Sequence, residues 1–170
     1  MMLATKPDAT ALRKHSGYAN WRPAITGVTV LALVGVDNLV LPCLMGGLVL
    51  PTGAVEDGQS PQHAAQLVLS GMPGDLPIQR RVAVDEEHTR RRKIISHLVV
   101  TAPLTVEEAQ CLVYRDPRAD TDVLRTTEAV SLLTEPARAR ALLGLQALAI
   151  NAMVYNHNGA IEHLESVPAP

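Results

Sequence analysis

Between Ala141 and Tyr155 the chain is apolar on nearly every side of any helix it forms, interrupted only by Gly144, Gln146 and Asn151. A helix that is hydrophobic all round must be buried, in a protein core or in a membrane, so the rest of the chain has to supply its cover. Thr134-Glu135-Pro136 opens the stretch, and Asn158-Gly159 closes it with residues suited to a left-handed C-cap. Its apolar part falls short of the roughly 20 residues a membrane crossing needs. The expectation is therefore a central core helix.

Two further segments carry apolar faces that fit against it. Glu86 and Glu87 each stand four residues before an arginine, Arg90 and Arg91, in the orientation that supports a helix. Ile94, Ile95, Leu98 and Val99 follow on one side, so the spacing predicts a helix over 85–100. Thr105 and Glu108 form a capping box that opens a helix over 106–115, which Asp116-Pro117 ends. Asp120 or Thr121 then caps a helix to Leu133, with Val123, Leu124, Val130 and Leu133 inward. Together these predict a helical bundle over 85–158, followed by a tail over 159–170.

The first part of the chain reads differently. Residues 1–24 form a polar arm with one weak helical turn near Ala9 to Lys14. Residues 25–84 form an apolar, β-rich segment with one short helix. Within it Val28 to Val36 reads as a strand, Asp37-Asn38 as a turn pair and Leu39 to Leu50 as a broken second strand. Neither strand alternates, so both of its faces should be covered. Residues 25–50 are also long enough to span a bilayer. Insertion gains about 0.3–0.6 kcal/mol for each Val or Leu, but Asp37 costs about 2.5–3.5, and strands are favoured over a single-pass membrane anchor. Ser60-Pro61 starts a helix that runs to Ser70, and Leu76 to Val84 reads as a strand. The expected fold class is α+β, predominantly helical: a C-terminal helical bundle with a central apolar last helix, preceded by an apolar β-rich N-terminal segment.

Composition narrows function mainly by exclusion. There is no Phe, and the aromatic residues are Trp21, Tyr18, Tyr114 and Tyr155, too few for a base-stacking platform. A formal net charge of −2 gives no overall attraction to nucleic acid or acidic membranes. Cys43 and Cys111 have no metal-type spacing and no cationic neighbour to activate them. His63, His88, His97, His157 and His163 show no paired ligand spacing, and Asp116, Asp120 and Asp122 lack the pattern of a calcium loop. No catalytic residue, metal or cofactor is expected. A cytoplasmic or particle-bound setting is favoured over export.

The one charged cluster is Asp85 to Lys93, where Arg90, Arg91, Arg92 and Lys93 offer a site for an anion or an acidic partner. The plainer reading is a solvated helix face paired by its own glutamates. Val82 to His88, followed by Arg90 and an apolar run, resembles the strand-to-helix entry of GNAT-type acetyltransferases over residues 82–99. That resemblance implies an acyltransferase using coenzyme A, although Lys93 and Ile95 stand where the family's pyrophosphate-cradling loop has small residues. The reading favoured over it is a non-enzymatic structural or assembly subunit, acting through protein–protein contacts in a homo-oligomer or a larger, capsid-like particle. Two apolar blocks against a modest polar surface motivate it. A membrane protein anchored by residues 25–50 is the alternative. An acyltransferase, or a nucleic-acid binder using the 85–93 cluster, is less favoured.

Overall fold

A computed structural model describes residues 22–168. The helical turn expected near Ala9 to Lys14 lies outside the described residues. In chain order, Ile25–Leu31 (β1), Leu33–Val34 (β2), Asn38–Leu44 (β3), Gly47–Leu48 (β4) and Thr52–Ala54 (β5) are strands. Residues 25–50 thus form strands around the expected turn, and no described helix is long and apolar enough to cross a membrane.

Helix Pro61–Gln66 (α1) follows, with Pro61 at its start and Ser60 as its cap, the Ser60 hydroxyl accepting from the His63 N–H at 3.1 Å. Next come Leu69–Ser70 (β6), the long strands Ile78–His88 (β7) and Lys93–Thr101 (β8), and helix Val106–Gln110 (α2). The expected capping box is present: Thr105 Oγ1 accepts from the Glu108 N–H, and Glu108 Oε2 accepts from the Thr105 N–H. The described chain ends with Val113–Tyr114 (β9), Asp120–Arg125 (β10), Thr126–Leu132 (α3), Ala137–Ala149 (α4), Ala152–His157 (β11) and Ala160–Ser166 (β12).

Six strands build a mixed sheet in the order β12-β11-β7-β8-β1-β5. The β11–β7 and β8–β1 pairs are parallel, and the other three are antiparallel. A smaller sheet joins β10, β3 and β2, with β4 on β3, and β6 pairs with β9. The large sheet is covered on both faces. Val28, Val30 and Val99 pack with Ala64, Ala65 and Val68 at α1, whereas Leu31, Leu98 and Val100 pack with Ala141 and Ala147 of α4. Helix α4 comes closest at Gly144, where an added Cβ would lie 2.5 Å from Leu31 Cδ1.

This architecture corrects the expected helical bundle: 44% of the described chain is strand and 21% helix. Residues 85–100 are not a helix. They are the end of β7, a turn and most of β8, with His88 opposite Lys93. The apolar spacing of Ile94, Ile95, Leu98 and Val99 fits a strand buried on both faces as well as a helix, because such a strand has no reason to alternate. The GNAT-like entry disappears with that helix, since β7 turns directly back into β8. The helix expected from residue 120 to 133 begins as β10, whose Val123 and Leu124 pair with Val40 and Leu39, and only α3 is helical. The last helix stops at Ala149. Asn151 takes a left-handed conformation (φ 49°), and the chain resumes as β11. Asn158 (φ 48°) and Gly159 (φ 84°) are then a hairpin turn rather than a helix cap. Residues 160–166, expected as tail, become β12.

Candidate functional site

Helix α4 lies across the end of the sheet where β7 and β11 run side by side, and a cleft of about 730 Å³ opens between them. Successive residues of a strand face opposite ways, so Asp85 and Glu87 project toward α4 and Glu86 projects away from it. Asp85, Glu87, Arg140, Gln146, Asn156 and Asn158 are polar residues that line the cleft, together with His88, whose ring turns to Glu86. Arg140 comes from the first half of α4, and Asn156 stands opposite Asp85 in the parallel β11–β7 register.

Arg140 Nε donates to Asp85 Oδ2 at 3.1 Å, and Asn156 Nδ2 donates to Asp85 Oδ1 at 2.7 Å. Both oxygens of this largely covered carboxylate are thereby engaged, which fixes Arg140 as well as Asp85. Glu87 differs. Its Oε2 lies 3.6 Å from Arg140 Nη2 and its side chain is 46% exposed, so it faces the open part of the cleft.

On the other side of β7, three cationic or imidazole groups converge on Glu86 Oε1: Lys93 Nζ at 2.6 Å, His88 Nε2 at 3.2 Å and His157 Nδ1 at 3.4 Å. The Lys93 contact, foremost, holds the Glu86 carboxyl below its ordinary pKa, so it stays ionised. The His88 and His157 rings meet edge to face with centroids 4.9 Å apart. The backbone beneath is tied across the strands: Asn158 Oδ1 accepts from the His88 N–H at 2.7 Å, and the Asn158 N–H donates to the Glu86 carbonyl at 2.8 Å.

The expected anion site is distributed differently from a helix face. Thr89 and Arg92 close the β7–β8 turn through the Thr89 N–H and hydroxyl, both donating to the Arg92 carbonyl. Arg90 and Arg91 are exposed on that turn, Arg92 is half-buried, and Lys93 turns back onto Glu86. The grouping of Glu86 with His157, and of Asp85 with Arg140, leaves no trace in local spacing, because strand register creates it. The one usable signal was Asn158-Gly159 between two strand-like runs, which reads as a hairpin.

A second, more open depression lies before and along α1, lined by Glu56, Asp57, Gly58, Gln59, Ser60 and His63. All but Gln59 are exposed, and α1 has no acidic residue in its first turn.

No protein-family model matches the sequence, and no curated protein matches it. Solved structures do. The chain is similar to the solution structure of the E. coli ORF135 protein at 15% identity and a TM-score of 0.55, over 77% of this chain and 94% of that one. It is similar to the crystal structure of the MutT protein from Methanosarcina mazei Go1 at 12% identity and a TM-score of 0.57, over 75% and 95%. A crystal structure of a NUDIX hydrolase from Nitrosomonas europaea matches at 10% identity and a TM-score of 0.57, over 81% and 80%. The chain has a Nudix-type fold. This corrects the expectation of a non-enzymatic assembly subunit: much of the two apolar blocks that motivated it is buried within the chain's own core, and the fold is one shared with a protein described as a NUDIX hydrolase.

Proposed function

We propose that this chain is a hydrolase of a small polar substrate bound in the cleft between α4 and the β7–β11 pair. The observation that carries the reading is the meeting of Glu87 and Arg140 in one concavity, on a fold shared with a protein described as a hydrolase. Glu87 is the candidate general base. Its carboxylate, 46% exposed, takes a proton from a water as that water attacks an ester or anhydride centre, and the bond to the leaving oxygen breaks, that oxygen departing as an anion or taking a proton from solvent. Arg140, held by Asp85 through Nε, presents its guanidinium to the negative charge that develops on the substrate oxygen. Asp85 is a positioning residue, fixed in turn by Asn156.

Turnover of phosphoanhydride, phosphate-ester and carboxylic-ester compounds, with and without divalent cations, tests this reading. The expected result is turnover of one class that falls by about 10²- to 10⁴-fold in Glu87→Gln, with the variant's circular dichroism and melting unchanged. Turnover by Glu87→Gln equal to that of the parent chain overturns the reading.

One observation favours a second reading, a module that binds a small polar ligand without cleaving it. Asp85 and Glu87 already flank Arg140, so the cleft holds no unopposed cation to meet developing charge. Thermal stabilisation by a compound that is never turned over supports that alternative.

A further inference from the structure

We propose that Glu86, His88 and His157 form a binding site for a divalent transition-metal ion of the zinc kind. Each offers one ligand atom, and the three atoms lie within 4.8 Å of one another. They come from neighbouring parallel strands, with His157 directly opposite Glu86 and His88 two residues further along the same face of β7. Ligand distances of about 2.0–2.1 Å in a tetrahedral zinc site place ligand atoms about 3.3–3.4 Å apart. Glu86 Oε1 stands 3.2 Å from His88 Nε2 and 3.4 Å from His157 Nδ1, so two edges of such a tetrahedron already have their length.

The donor set selects the ion. One carboxylate with two imidazoles is a known arrangement for catalytic zinc, and imidazole nitrogen suits zinc, copper and nickel, whereas magnesium and calcium take oxygen. Asn158, next to His157, ties the turn after β11 to the β7 backbone at Glu86 and His88, so the strands bring the donors to the ion with little left to order. The His88 and His157 side chains are 40% and 32% exposed, which leaves an approach for the ion and for a water as fourth ligand.

Lys93 competes for the same carboxylate oxygen from 2.6 Å and places a positive charge beside the site. Its side chain is 36% exposed, and its flexible stem can carry the ammonium group out to water when an ion enters. This competition distinguishes ligation from a hydrogen-bonded surface cluster. Removal of a ligand weakens metal binding, and removal of Lys93 strengthens it.

Calorimetric titration of the full-length chain with zinc chloride, together with the absorption spectrum of the cobalt(II)-loaded chain, tests the proposal. The expected result is a site whose zinc affinity drops by about tenfold or more in His157→Ala and in Glu86→Gln, is unchanged in His63→Ala and rises in Lys93→Met. The cobalt spectrum should show a low-coordinate nitrogen–oxygen site that His157→Ala abolishes. Absence of binding at millimolar zinc, affinity unaffected by both ligand substitutions, or weaker binding in Lys93→Met overturns it. The variants' circular dichroism and melting separate a lost ligand from a lost fold. The titration measures no turnover, so its failure leaves the hydrolase reading standing, and a Glu87→Gln variant with unimpaired turnover leaves the metal site standing.

Discussion

His97 shows what a single residue contributes when a strand is covered on both sides. It lies on β8 between Val84 of β7 and Val28 of β1, half-buried, with Nδ1 3.2 Å from Arg81 Nη1. Burial first, and the Arg81 charge second, push its pKa below the ordinary histidine value. The unfolded chain therefore gains a proton as pH falls through about 6.5, where the folded chain does not. Stability from this group is full above that pH and is lost as pH drops toward the lowered folded value. Urea midpoints at about pH 7.5 and about pH 5.5 should fall between the two conditions in the parent chain and fall less in His97→Gln. Gly144 is a second such residue. An alanine there presses on Leu31 and Leu98 in the core, and the overpacking should cost about 1–3 kcal/mol in chemical denaturation.

At the scale of elements, features set by neighbours in sequence were legible and features set by distant partners were not. The Thr105–Glu108 capping box and the Ser60 cap each need only three or four consecutive residues, and both form as the sequence indicates. Thr105→Ala should cost about 1 kcal/mol, read from the shift in denaturation midpoint. The β7–β8 hairpin failed for the opposite reason. Its charges satisfy helix spacing, and only the register that pairs His88 with Lys93, bringing the Lys93 side chain across to Glu86, reveals that they belong to two strands. Asn158-Gly159 carries two meanings, helix cap or tight hairpin turn, and the preceding break at Asn151 decides between them. Because Gly159 has φ 84° and open space around the position of a Cβ, Gly159→Ala should cost about 1–2 kcal/mol from backbone strain alone. It should also weaken zinc binding, since the turn fixes His157 and Asn158 over β7.

For the whole molecule, the decisive contacts join strands that the chain reaches late. β11 pairs in parallel with β7 only after β8 to β10 and three helices have intervened, and β8 lies beside β1 across a similar gap. No local periodicity encodes such pairings. The apolar stretch from Ala141 to Tyr155 is buried only in part, with Ala141, Gly144, Ala147 and Ala152 to Val154 covered but Leu142 and Ile150 exposed, and it divides into α4, which covers one face of the sheet, and β11, which extends the sheet itself. That division creates the cleft, because α4 brings Arg140 and β11 brings Asn156 to Asp85 on β7. The proposed hydrolase has its working site in this cleft. The most direct measurement is the change in backbone amide chemical shifts when an isotope-labelled chain is titrated with the compound it binds or turns over. Shifts concentrated at residues 85–88, 140 and 156–159 are predicted. Shifts concentrated instead at residues 56–63, in the depression beside α1, would contradict it.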